Sequence, residues 1–268
     1  LKATASVLII NQTVLASAIK VAKAKLGIAG ASANATPAKP NRELFETLSF
    51  AQLLEKGLVQ RVTFSNADIE ALFKGTIAEG LDAEALADPK AAMVDLYFAD
   101  PLVPSVGRTL MGEKAYAKLL SDLPDGQPAI LVMTAGRWSV MGEDWTPGSV
   151  PDRLIVKQVG LPLVVRDMAW SRPLLAQGLP EHDMMILKIP ATAGFDPASP
   201  FDVVPYITRA KGIIYPELTS VEPSKAVQWP ESYYIVDKAE AAAEGWRAVW
   251  QARGFDLGVI AASLALLT

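Results

Sequence analysis

Met93-Val94-Asp95-Leu96-Tyr97-Phe98-Ala99 and Ala129-Ile130-Leu131-Val132-Met133-Thr134 are the two runs of the chain that decide the fold. Both predict strands, and the second is almost uniformly apolar, which is typical of a strand buried on both faces. Between them, Gly112–Asp122 predicts a short helix, which the turn residues Pro124-Asp125-Gly126 close. The predicted centre of the molecule is therefore a strand, a helix and a second strand.

Further segments of the chain predict strands that follow one another without regular helices between them. Leu154 and Val156 alternate with Lys157, which is the period of a half-buried strand. Consecutive strands of this kind favour an α+β fold over a doubly wound sheet. The predicted strands are Arg153–Val159, Pro162–Arg166, Met184–Ile189 and Val203–Arg209.

Helices are expected at the edges of this β-rich middle. Ser65 is a candidate N-cap for a helix over Asn66–Lys74, because Asp68 occupies the capping-box position three residues later. Glu43–Lys56 predicts another helix ahead of it.

The N-terminal part predicts a strand over Ala5–Ile10, followed by an amphipathic helix. Residues 27–42 are rich in Ala, Gly, Ser and Pro and lack any apolar period, so they predict an exposed loop. We assign residues 1–237 to one domain that contains this loop.

The C-terminal part, residues 238–268, predicts a helix that becomes apolar. From Phe255 to Thr268 the only charged residue is Asp256, whereas a bilayer span needs about 20 apolar residues. We expect a juxtamembrane helix and the beginning of a transmembrane helix, in a chain cut short at both ends; a buried C-terminal helix is the alternative. Two tryptophans and two arginines of the kind found at membrane interfaces precede the apolar run: Trp246, Arg247, Trp250 and Arg253.

Composition limits the chemistry that this chain can perform. Its 268 residues are 51% apolar and 20% charged, as in a folded protein. A net charge of −4 gives no basic platform for nucleic acid. The chain contains no cysteine, which excludes disulfides, iron–sulfur ligation and thiol nucleophiles. With His182 as the only histidine, a Ser-His-Asp hydrolase is excluded as well, and we expect this residue in a surface loop.

The string Pro-x-x-Gly-Arg-x-Leu-x-Gly lies within Val103–Gly112 and is the most specific of several blocks along the chain. Together these blocks resemble the periplasmic region of the NosR-type, FMN-binding membrane proteins. The remaining blocks follow in the same order as in that family. They are Ala3–Asn11, Val94–Tyr97, Pro151–Leu154, Phe195–Pro197, Pro200–Asp202, and Trp246 with Trp250 and Arg253 ahead of an apolar helix.

The resemblance implies FMN attached by a phosphoester bond to a threonine in a Ser/Thr-Gly-Ala-Thr motif. Carried over by position, this residue is Thr4, with Ser6 as a second hydroxyl nearby. The sequence departs from the motif, because Leu1-Lys2 replaces its Ser/Thr-Gly and only Ala3-Thr4 remains. A strand threonine without a ligand is therefore the alternative.

Gly107, Arg108 and Thr109 are the other candidate cofactor-binding residues. An arginine pairs with phosphate through two parallel hydrogen bonds, so Arg108 is a candidate contact for the flavin phosphate or ring. A turn with a solvated arginine is the alternative. Trp138, Trp145 and Trp170 are either flavin-stacking residues or, more commonly, core residues. No pairing is expected among the scattered carboxylates, Asp95, Asp100, Asp152 and Asp167.

The resemblance further implies a domain on the periplasmic side of a bacterial inner membrane. There it carries electrons for, or supports assembly of, a respiratory enzyme, which for this family is nitrous oxide reductase. Catalysis by this domain alone is not expected. Two alternatives stay open: a non-redox binding or scaffold subunit that kept the fold and lost the flavin, and an FMN domain of another respiratory or regulatory pathway.

Overall fold

The computed structural model describes residues 37–124, 126–180 and 183–236, and these residues form an α+β fold. The larger sheet has five antiparallel strands in the order β2-β3-β4-β8-β7. Their bounds are β2 Val59–Ser65, β3 Ala92–Ala99, β4 Ala129–Thr134, β7 Arg166–Asp167 and β8 Met184–Lys188.

A second sheet has four antiparallel strands in the order β12-β9-β5-β6, and two ribbons of two strands each complete the β-structure described. The sheet contains β5 Leu154–Gln158, β6 Leu161–Pro162, β9 Phe201–Pro205 and β12 Lys225–Val227. The ribbons pair β1 Lys39–Pro40 with β13 Tyr234–Ile235, and β10 Ile207–Lys211 with β11 Glu217–Val221.

Four α-helices lie in the described part of the chain. Two begin with a capping box: Ser49 with Gln52, and Ser65 with Asp68, as the sequence predicts for the second. The helices are α1 Phe50–Glu55, α2 Asn66–Phe73, α3 Ala83–Ala87 and α4 Pro104–Asp122, and short 3-10 turns occur at Ala191–Ala193 and Glu231–Tyr233.

The core joins the two sheets through aromatic side chains. Strands β3 and β4 are buried along nearly their whole length. Trp229 contacts Phe201 edge-on, with ring centroids 4.9 Å apart, and Phe195 packs against both. The Trp229 indole N–H donates to the Phe98 carbonyl of β3 at 3.3 Å. This bond satisfies a polar group that burial would otherwise leave unpaired.

Three predicted elements have other bounds in the structure. The helix expected over Glu43–Lys56 is confined to α1, because the Glu46 amide donates to the Ser105 hydroxyl instead of to a helical carbonyl. The strand expected over Pro162–Arg166 is divided between the two sheets as β6 and β7. The strand expected over Val203–Arg209 is likewise two strands, β9 and β10.

The predicted loop over residues 27–42 contains strand β1 at its end, paired with β13. The strand over Ala5–Ile10, the helix after it and the segment 238–268 lie outside the described residues, so the domain bounds stay predictions. Among the helices described, none has the length and apolar character that a bilayer crossing requires.

Candidate functional site

The string Pro104–Gly112 forms the first half of α4, so the interpretation of Gly107-Arg108 as a turn is wrong. Pro104 is the first residue of the helix, where its missing N–H costs nothing. Gly107 is buried where a Cβ would lie less than 3.0 Å from both the Tyr116 ring and the Pro101 carbonyl oxygen. Only glycine permits this approach.

Gly112 is the second glycine that the backbone requires. Its φ of 75° breaks the regular helix, so α4 consists of two helical halves that meet at a kink. The kink leaves the Leu110 carbonyl available to a neighbouring loop, and the Leu175 amide donates to it at 2.6 Å. The helix predicted to begin at Gly112 in fact begins at Pro104. Close packing explains Gly107, and the positive φ explains Gly112.

Arg108 is the charged residue of the string, and its side chain is 34% exposed. Its guanidinium lies over the Phe45 ring at 4.6 Å and over the Tyr116 ring at 5.7 Å. The Arg108 Nε is 2.9 Å from Glu113 Oε2, close enough for an ion pair but not aligned for a hydrogen bond. Thr109 is half-buried beside it. Arg108 therefore retains donors for an anionic ligand at the surface.

The N-terminus of α4 is closed to an external anion, although helix N-termini commonly bind phosphate. Ser105 in its first turn is fully buried, and its hydroxyl accepts the Glu46 amide at 2.8 Å. The Leu102 amide just before the helix donates to Asp100 at 2.9 Å. The protein itself thus occupies this end of the helix.

Asp100 is a buried carboxylate beside the helix start. Its Oδ2 accepts the Tyr234 hydroxyl of β13 at 3.1 Å, and only 3% of the residue is exposed. Burial raises the pKa of Asp100 from 3.8 to about 7, against the Leu102 and Tyr234 hydrogen bonds and the charge of Arg42, which lower it. A carboxyl group titrating near neutral pH thus lies directly after β3, where it contacts β13.

A second polar group involves Tyr233, the neighbour of Tyr234 in the sequence. The Tyr233 hydroxyl donates to Glu46 Oε1 at 2.6 Å, and Lys56 pairs with Glu46 Oε2 at 2.9 Å. The Tyr233 hydrogen bond, followed by that of Lys56, lowers the pKa of Glu46. Glu46 therefore links the end of α1, the first turn of α4 and the 3-10 turn that precedes β13.

Thr4 and Ser6 lie outside the described residues, and of the candidate cofactor-binding residues the structure describes Gly107, Arg108 and Thr109. Strand β1 pairs with β13 through Pro40 and Tyr234, and Tyr234 bonds Asp100. The first strand described, β1, therefore lies beside the strand that bonds Asp100 next to the start of α4.

The remaining candidates have structural roles. Asp95 accepts two 2.8 Å hydrogen bonds from Arg61, and the buried Asp167 accepts the Gly148 and Ala169 amides. The indoles belong to the core and its edge: Trp138 is buried, and Trp145 and Trp170 are half-buried against it. Within the described ranges no cluster of His, Asp or Glu is arranged to hold a metal ion, and His182 lies outside them.

Curated proteins related to this chain align with almost all of it. Regulatory protein NosR of Stutzerimonas stutzeri is 32% identical over 99% of this chain and 38% of its own length. Regulatory protein NosR of Pseudomonas aeruginosa is 32% identical over 99% and 39%, and Protein NirI of Paracoccus denitrificans is 27% identical over 99% and 37%.

No protein-family model matches the chain. No solved structure matches it either. The chain spans less than two fifths of the length of the relatives named above, so it corresponds to one part of longer proteins. By its likeness to the two NosR proteins along almost its entire length, the chain is NosR-type.

Proposed function

We propose that this chain is a flavin-carrying domain that transfers electrons to, or supports maturation of, a respiratory reductase in denitrification. FMN is attached to Thr4, the domain faces the periplasm beside the inner membrane, and the partner is nitrous oxide reductase. The likeness to NosR along 99% of the chain is the observation that carries this proposal.

The described residues divide into those that suit a flavin and those that do not. Arg108 suits one, because its partly exposed guanidinium offers hydrogen-bond donors to a phosphate. The exposed Phe45 ring beneath it offers an apolar surface to the planar flavin ring. Gly107 does not, because the Tyr116 ring fills the space beside it. When bound, the flavin supplies the redox chemistry, and the protein supplies attachment, orientation and charge.

A non-redox scaffold is the second candidate function. Leu1-Lys2 in place of Ser/Thr-Gly favours it, because the motif glycine allows the backbone to approach a phosphate closely. The buried start of α4 favours it as well, since it removes one natural phosphate-binding position from the described region.

The two functions are separated by the flavin content of the full chain isolated from its native membrane. On a denaturing gel, a covalent flavin fluoresces at the position of the protein band. We expect fluorescence from the unaltered chain and from Ser6→Ala, and none from Thr4→Val, which keeps the shape of threonine but removes its hydroxyl. A dark band and no flavin released on denaturation would support the scaffold and refute the flavin carrier.

A further inference from the structure

The turn between β10 and β11 presents an apolar tip to the solvent. Ile213 is 99% exposed, Ile214 is 82% exposed and Tyr215 is 89% exposed, which are the highest values among the large apolar side chains described. Single exposed apolar residues are ordinary, but three consecutive ones at the end of a ribbon mark a contact surface. We call residues 213–215 the ribbon tip.

The base of the ribbon is fixed to the rest of the fold, so the tip is held in a defined place. Arg209 of β10 forms ion pairs with Glu70 and Asp82, and its guanidinium lies 4.3 Å from the centre of the Phe73 ring. Its side chain is only 9% exposed. Ile207, at the start of the same strand, is buried in the core.

The size and chemistry of the ribbon tip favour a lipid bilayer over a protein partner. A stable protein interface buries about 800 Å² on each partner, more than three side chains at the end of a ribbon provide. Aliphatic side chains followed by a tyrosine are suited to the boundary between lipid tails and headgroups. The charges next to the tip, Lys211 and Glu217, lie opposite each other and offset one another.

The chain also contains a second group of residues with the composition of a membrane interface. Trp246, Arg247, Trp250 and Arg253 precede the apolar run Phe255–Thr268. We propose that the ribbon tip inserts into the interface of the bilayer and forms a second membrane contact, which fixes the orientation of the domain on its membrane. This inference rests on the membrane location included in the proposed function.

The test uses the full chain bound to phosphatidylethanolamine–phosphatidylglycerol vesicles. Because the chain has no cysteine, Ile214→Cys provides a unique attachment site for an environment-sensitive nitrobenzoxadiazole dye. The matched control is Val159→Cys, since Val159 is 57% exposed in the turn of the β5–β6 hairpin. Each labelled protein is measured with plain vesicles and with vesicles that contain doxyl-labelled lipid, which quenches only dyes in contact with lipid.

We expect a blue shift and doxyl quenching for the dye at position 214, and neither for the dye at position 159. A dye at 214 that is blue-shifted but not quenched would indicate a protein contact and overturn the proposal. Vesicle-bound protein with a solvent-like dye at 214 would also overturn it, while leaving the membrane location intact. If the chain does not bind vesicles at all, the membrane location itself is wrong, and the proposal is overturned with it.

Discussion

Replacing Asp100 with asparagine is expected to stabilise the protein at neutral and alkaline pH. The buried carboxylate accepts hydrogen bonds from the Leu102 amide and the Tyr234 hydroxyl, and its pKa is raised from 3.8 to about 7. Asparagine keeps an acceptor for Leu102 and presents a donor to the Tyr234 oxygen, so the packing is retained while the charge is removed.

The sign and size of this effect follow from the raised pKa. Between pH 3.8 and about 7 the folded protein retains a proton on Asp100 that the unfolded chain has released. The free energy of unfolding therefore falls as the pH rises through this window, and the loss is complete above it. The rise of the pKa from 3.8 to about 7, at roughly 1.4 kcal/mol for each tenfold change in proton affinity, corresponds to about 4 kcal/mol.

Urea unfolding, followed by the fluorescence of the buried tryptophans, measures this difference between pH 4 and pH 8. The two proteins should be similar in stability at pH 4, and Asp100→Asn should be more stable by about 4 kcal/mol at pH 8. Both proteins contain Glu46, whose lowered pKa raises the free energy of unfolding as the pH rises. Comparing the two proteins at the same pH cancels this contribution. Tyr234→Phe removes a hydrogen bond to the carboxylate, so it should move the window to higher pH. If the free energy of unfolding changed with pH in the same way for Asp100→Asn and the unaltered chain, the raised pKa of Asp100 would be refuted.

Three other substitutions test the packing by urea unfolding. Gly107→Ala places a methyl group against the Tyr116 ring and should destabilise the fold by about 3 kcal/mol or more. Val159→Asn should stabilise it by about 1 kcal/mol, because a β-branched residue is strained at the φ of 53° that this two-residue turn imposes. Arg61→Gln leaves the buried Asp95 carboxylate without its ion-pair partner and should cost about 1–3 kcal/mol.

Each of these has an internal check. For Gly107→Ala the control is Lys114→Ala, at an exposed position of α4, which should change stability by less than about 0.5 kcal/mol. An equal loss of stability in the two variants would contradict the packing role of Gly107. A less stable Val159→Asn would show that the turn is not strained. If adding Asp95→Asn to Arg61→Gln restored no stability, the unpaired carboxylate would not be the cause of the loss.

The elements that the sequence predicts well have local signals. Strands β3 and β4 are long apolar runs. The capping box of Ser65 with Asp68, two residues close together in the sequence, marks the start of α2. The local signal at Gly112, in contrast, led to a wrong prediction of a helix start. A glycine ahead of a helical pattern resembles a helix start, but Gly112, with a φ of 75°, lies at a kink within one longer helix. The Leu110 carbonyl that the kink leaves available accepts the amide of Leu175, a residue distant in the sequence, so no local pattern indicates this arrangement.

The polar contacts of the candidate site depend on partners far apart in the sequence. Asp100 and Tyr234 are separated by 134 residues, and Glu46 and Tyr233 by 187. Neither pair has a motif that connects its members. The pairing of Asp95 with Arg61 depends on the register of β2 against β3, which is set by the packing of the whole sheet.

The attachment of flavin to Thr4 is tested most directly by the mass of the tryptic peptide Ala3–Lys20 from protein isolated from its native membrane. The proposed function predicts that this peptide is heavier by one FMN less one water, and that fragmentation places the added mass on Thr4 rather than on Ser6. A peptide of unmodified mass, from a preparation that releases no flavin on denaturation, would contradict it.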